Sequence, residues 1–101
     1  MSVIRVEPRG GRDFEVMVAE ETSPGVPGLS FAYQVRVDDA VLAATGVAVD
    51  DEPGQIALVR TSFEYLLARE SARSILRSFE LSDISRYFPT YPADIAGRVP
   101  R

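Results

Sequence analysis

The pattern of apolar and polar residues changes period near the middle of the chain. Ile4 and Val6 alternate with Arg5 and Glu7, and Phe14, Val16 and Val18 alternate with Glu15, Met17 and Ala19. A period of two is that of half-buried strands. Between these runs, Pro8-Arg9-Gly10-Gly11-Arg12-Asp13 reads as a hairpin loop. Ser23-Pro24-Gly25-Val26-Pro27-Gly28 holds two Pro-Gly pairs. Each suits a type II turn, in which Pro sets the first φ and Gly supplies the positive second one. Phe31, Tyr33, Val35 and Val37 then line one face of a third strand, opposite Ala32, Gln34 and Arg36. Asp38-Asp39 predicts a tight turn into a fourth strand over residues 41–49, with Gly46 marking a bulge or a close backbone approach. Four strands on short connections predict an antiparallel meander over residues 2–49.

Beyond residue 50 the period becomes helical. Asp50, Asp51 and Glu52 precede Pro53, which places an acidic cap before a proline in the first turn. Ile56, Val59, Phe63, Leu66 and Leu67 form one apolar stripe, so the main helix is predicted over residues 53–70. Ser71 is expected to cap a second, short helix carrying Ile75, Leu76 and Phe79. Ser82-Asp83 is expected to cap a third, carrying Ile84, Tyr87 and Phe88 and stopped by Pro89. The fold class is therefore α+β. Residues 1–91 form a single domain and residues 92–101, with two prolines and a glycine, a loosely ordered tail. A chain of 101 residues has the length of one domain and one core.

Composition narrows the chemistry more than it narrows the fold. The chain has no Cys, His or Trp, and its eleven basic residues are all Arg. Thiolate chemistry, Cys/His zinc sites, imidazole acid–base catalysis and lysine Schiff bases are excluded. Ser nucleophiles lack their usual base. The net charge is −4. Residues 1–50 hold four Arg and eight acids, and residues 51–101 hold seven of each. An acidic half joined to a neutral half disfavours nucleic acid and anionic membranes. The first fifteen residues carry six charges, unlike a signal peptide, and no run approaches the about twenty apolar residues of a bilayer span. The expectation is a soluble, cytoplasmic protein without a cofactor or a metal.

Residues 62–91 carry a resemblance. Ser62-Phe63-Glu64-Tyr65-Leu66-Leu67-Ala68-Arg69-Glu70, then Ile75-Leu76, then Tyr87-Phe88-Pro89-Thr90-Tyr91, is similar to the closing pattern of a family of short, functionally uncharacterised bacterial proteins. In that pattern an SFE-aromatic-LL-x-RE segment is followed by IL and by YFP-x-Y. Ser71-Ala72 stands where the pattern often has a proline after the RE pair. The resemblance implies a compact C-terminal helical unit and supplies no site residues.

Three groups of residues could carry a function. The acidic clusters Glu20-Glu21, Asp38-Asp39 and Asp50-Asp51-Glu52 could ligate a hard cation, but each sits where a turn or helix cap wants it, and none has calcium-loop spacing. Arg69, Arg73 and Arg77 recur every fourth residue, with Arg86 nearby. On one helix they would make a phosphate-gripping stripe, although Glu64, Glu70, Glu80 and Asp83 are interleaved and favour a salt-bridged, solvated face. Six of the nine aromatics fall within residues 63–91. They either close the core or anchor a partner, since Tyr, Phe and Arg are enriched at interfaces.

The sequence thus predicts a non-catalytic protein-interaction module, either a homodimer or an accessory subunit with an adaptor or antitoxin-like role. Its candidate partner surface comprises Tyr65, Arg69, Arg73, Arg77, Arg86, Tyr87 and Tyr91, with Phe88 in the core. Its candidate sheet-face dimer surface comprises Phe31, Tyr33, Val35 and Val37. The alternatives are a nucleic-acid-binding regulator using the Arg69/Arg73/Arg77 region and a carboxylate- or metal-dependent enzyme. Any small-molecule ligand is left unspecified.

Overall fold

Three long strands form as their period-two patterns dictate. The computed structural model describes residues 2–20 and 28–99. Strands β1 (Ser2–Gly10), β2 (Asp13–Glu20) and β3 (Leu29–Arg36) pair antiparallel in sequence order. Gly10 and Gly11 both adopt positive φ (114° and 56°), a region open to Gly, and they make the β1–β2 connection tight. The register aligns Val6, Val16 and Tyr33, and beside them Ile4, Val18 and Phe31. One face of the sheet is thereby apolar and the other carries Arg5, Glu7, Glu15 and Gln34. The Ser-Pro-Gly turn reading at residues 23–27, and Glu21, lie outside the described residues.

The fourth strand differs from the predicted one in both place and direction. Residues 41–49 are not a strand: Asp39–Thr45 is helix α1, followed by an irregular segment. Val41, Leu42 and Thr45 are buried on one side of it, a helical i, i+1, i+4 spacing, and Thr45 Oγ1 donates back to the Val41 carbonyl at 2.8 Å. Gly46 (φ 75°) is the left-handed residue that ends this helix, its N–H returning to the Leu42 carbonyl, and no bulge is involved. The sheet is completed by β4 (Ser78–Glu80), which runs parallel to β3, so the sheet is mixed and not a pure antiparallel meander. A helical crossover separates β3 from β4, as a parallel pair requires.

The main helix α2 (Glu52–Leu67) starts where the acidic cap and Pro53 place it. Asp51 accepts the Gly54 N–H at 3.0 Å. It buries Leu58, Val59, Phe63, Tyr65 and Leu66, with the Phe63 ring 5.1 Å from that of Tyr33 on β3. Gln55 donates from Nε2 to the carbonyls of Ala48 and Val49 and so fixes the α1–α2 loop.

After Ala68 no second α-helix carries Ile75, Leu76 and Phe79. Ala72–Ser74 is a single 3₁₀ turn, Ile75 and Leu76 are irregular, and Phe79 is on β4. The predicted third helix is a 3₁₀ helix, Leu81–Arg86. It is capped by Glu80 and not by Ser82, with Glu80 N–H donating to the Asp83 carboxylate. The segment from residue 92 is not a loose tail as far as residue 99. Helix α3 (Tyr91–Ala96) packs against α1 and α2, and Ile95 and Val99 are buried. No helix among the described residues is long and apolar enough to cross a membrane.

Candidate partner-docking groove

Where α2 ends, the chain turns back along its own helix and leaves a groove. Leu66, Ile75 and Ile84 are the buried floor, and Phe79 and Phe88 are half-buried sides. Leu76 and Tyr87 stand 52% and 67% exposed at the lips. The opening encloses about 130 Å³, close to the roughly 150 Å³ that holds one benzene ring in an apolar cavity. Two anchors keep these irregular walls in place. The Tyr33 hydroxyl donates to the Ala72 carbonyl at 2.6 Å, and the Ser82 N–H donates to the Asp38 carboxylate at 3.0 Å. The charged residues lining the groove are both acids, Glu70 and Asp83.

The residues predicted to form the partner surface are dispersed. Tyr65 and Tyr91 are core, not anchors. Their rings meet edge-on at 5.5 Å, the Tyr65 hydroxyl donates to Asp94 Oδ2, and the Tyr91 hydroxyl meets Ser62 Oγ at 2.7 Å. Burial pushes the Tyr91 phenol well above its ordinary range, and burial likewise raises that of Tyr33. Phe88, expected in the core, is only half-buried, its ring 6.0 Å from Tyr65. Of the predicted aromatics, Tyr87 alone is exposed at the groove.

The four arginines do not share one helix face. Arg69 lies past the end of α2, its guanidinium stacked 3.6 Å over the Tyr65 ring. Arg73 is on the 3₁₀ turn, and Arg77 precedes β4 with its guanidinium 5.3 Å from the Phe31 ring. Arg86 ends the 3₁₀ helix, 3.8 Å from Asp83. The break in α2 scatters the stripe that a continuous helix would have made.

The predicted sheet-face surface is also reassigned. Phe31, Tyr33, Val35 and Val37 are buried in the core under α2 and the C-terminal segments, because their face of the sheet is the covered one. The acids act locally in part: Asp51 caps α2, and Asp39 pairs with Arg12.

Most of the groove was not singled out by sequence reasoning. Leu66, Glu70, Ile75, Leu76, Phe79 and Ile84 meet only once the chain reverses after α2. The one available signal was the density of aromatics over residues 63–91. In the patterned segment, Ser62, Phe63 and Tyr91 are interior, whereas Leu66, Ile75, Leu76, Tyr87 and Phe88 line the groove.

Comparison with protein-family models, with curated proteins and with solved structures finds no match to this chain.

Proposed function

We propose that this chain is a non-catalytic protein-interaction module whose groove receives one apolar side chain of a partner protein, flanked by a basic residue. The observation that carries the reading is the pairing of Leu76 and Tyr87, both exposed, at the lips of a groove with a buried apolar floor. Exposed apolar side chains around a pocket the size of one side chain are the pattern of an anchor site. Glu70 at the rim favours a cationic flank, whereas Asp83 already lies beside Arg86 and accepts the Glu80 N–H. The non-catalytic part rests on composition, since no His, Cys or Lys is present to act as nucleophile or tuned base. A cytoplasmic setting is the default part of this reading, since a cysteine-free composition gives no sign of an oxidising compartment.

Selection of a random peptide library on the immobilised full chain tests this reading. Enriched peptides should share an apolar residue next to Lys or Arg, and their labelled synthetic forms should lose binding to Leu76→Asp and Tyr87→Ala while both variants keep the wild-type melting temperature. Enrichment of acidic peptides, or binding indifferent to both substitutions, would count against the groove.

A further inference from the structure

The sheet has a second edge, far from the groove. In the strand order β1-β2-β3-β4, the groove lies at the β4 side and no described element pairs with β1 on its outer side. Which backbone groups face outward there follows from one hydrogen bond. Gln34 N–H donates to the Arg77 carbonyl on the β4 side, so Gln34 turns its backbone away from β2. Its neighbour Glu15 must then turn its backbone toward β1, where it meets Glu7. Alternation leaves Ile4, Val6 and Pro8 directing their backbone groups outward. The placement of Pro8 agrees, because a residue without an N–H is tolerated on the open side of an edge strand.

We infer that this edge pairs with β1 of a second copy of the chain, antiparallel about a two-fold axis through Val6, making one continuous sheet. In this register Val6 N–H and C=O exchange hydrogen bonds with Val6 of the second copy, and each Ile4 N–H donates to the opposite Pro8 carbonyl. On the core face, Ile4 lies opposite Pro8 and Val6 opposite Val6. Ile4 and Val6 are only partly buried in the single chain, so the pairing completes their burial. On the outer face, Arg5 lies opposite Glu7 in both directions, an opposite-charge cross-strand pair with Cβ atoms about 5 Å apart.

The charges also favour this register over its immediate neighbours. Shifting the axis to Arg5 sets Arg5 against Arg5, and shifting it to Glu7 sets Glu7 against Glu7, both repulsive. The axis through Val6 matches them. Charged side chains that protect an edge from indiscriminate pairing thus become complementary in one arrangement. The second copy at this edge replaces Phe31, Tyr33, Val35 and Val37 as the self-association surface, and it stands or falls independently of the groove.

Charge exchange tests the register on the full chain. Wild type should sediment at twice the 11.1 kDa chain mass at high micromolar concentration. Arg5→Glu alone, or Glu7→Arg alone, sets like charges opposite each other twice and should raise the dimer dissociation constant roughly tenfold or more. An equimolar mixture of the two single variants restores every opposite-charge pair, so it should recover the dimer as a heterodimer. Circular dichroism melts show that each variant is folded. A monomeric wild type, single variants that dimerise as tightly as wild type, or a mixture that stays monomeric would each overturn the inference.

Discussion

Ser62 on α2 and Tyr91 at the start of α3 are joined through their hydroxyls at 2.7 Å, and both residues are wholly buried. Ser62 Oγ also meets the Leu58 carbonyl at 2.8 Å. A serine has one proton to give, so with that proton on Leu58 the Tyr91 hydroxyl is the donor to Ser62. The contact fastens the last helix to the main one and fills the interior with a ring that sequence pattern had assigned to the surface.

Tyr91→Phe is expected to keep the fold and to lose about 1 kcal/mol, the usual net worth of one hydrogen bond. Tyr91→Ala removes the ring as well and should lose roughly 3–5 kcal/mol, a large part of the stability of a small domain. Urea unfolding followed by circular dichroism measures both. A Tyr91→Ala chain as stable as wild type would contradict the core assignment.

The Tyr91 phenol also fixes an alkaline limit. Burial raises its folded-state pKa above the ordinary 10.0, and the unfolded chain therefore releases this proton first. Stability from the group is fully present below pH 10 and declines as pH rises beyond it. Tyr33, raised in the same direction, adds to the decline. Melting temperature above pH 10 should fall less steeply for Tyr91→Phe than for wild type.

Gly46 ends α1 at φ 75°. Gly46→Ala places a Cβ in the left-handed region and should cost about 1 kcal/mol. Asp51→Ala removes the carboxylate that accepts the Gly54 N–H at the start of α2 and should cost a similar amount, about 1 kcal/mol. Thermal denaturation reads both.

The legible parts of the fold were those whose pattern is local and long. Residues 14–18 and 31–37 alternate over enough positions for one face to be unmistakably apolar, and Asp51-Glu52-Pro53 marks its helix start by chemistry. The run Val41-Leu42-Ala43-Ala44-Thr45-Gly46-Val47-Ala48-Val49 is longer but too uniformly apolar for its period to be read, and it is helix only as far as Thr45. Its helical character rests on Gly46 at the left-handed end and on burial of Val41, Leu42 and Thr45. Strand β4 has three residues and exists through its pairing with Gln34, Val35 and Arg36, a partner that no local window contains. The candidate site was less legible still. Leu66 and Tyr87 become neighbours around one groove only because the chain reverses between them, and Ser62, the partner of the buried Tyr91 hydroxyl, lies twenty-nine residues earlier.

The groove is tested most directly by two-dimensional amide NMR of the labelled chain, titrated with a synthetic peptide carrying one apolar anchor beside a Lys. Shifts should be confined to the groove lining, from Leu66 and Glu70 through Ser74, Ile75, Leu76 and Phe79 to Asp83, Ile84, Tyr87 and Phe88, and should vanish in Tyr87→Ala. Shifts centred on Arg5, Glu7 and Gln34 on the far face of the sheet, or no shifts for any peptide selected on the chain, would contradict it.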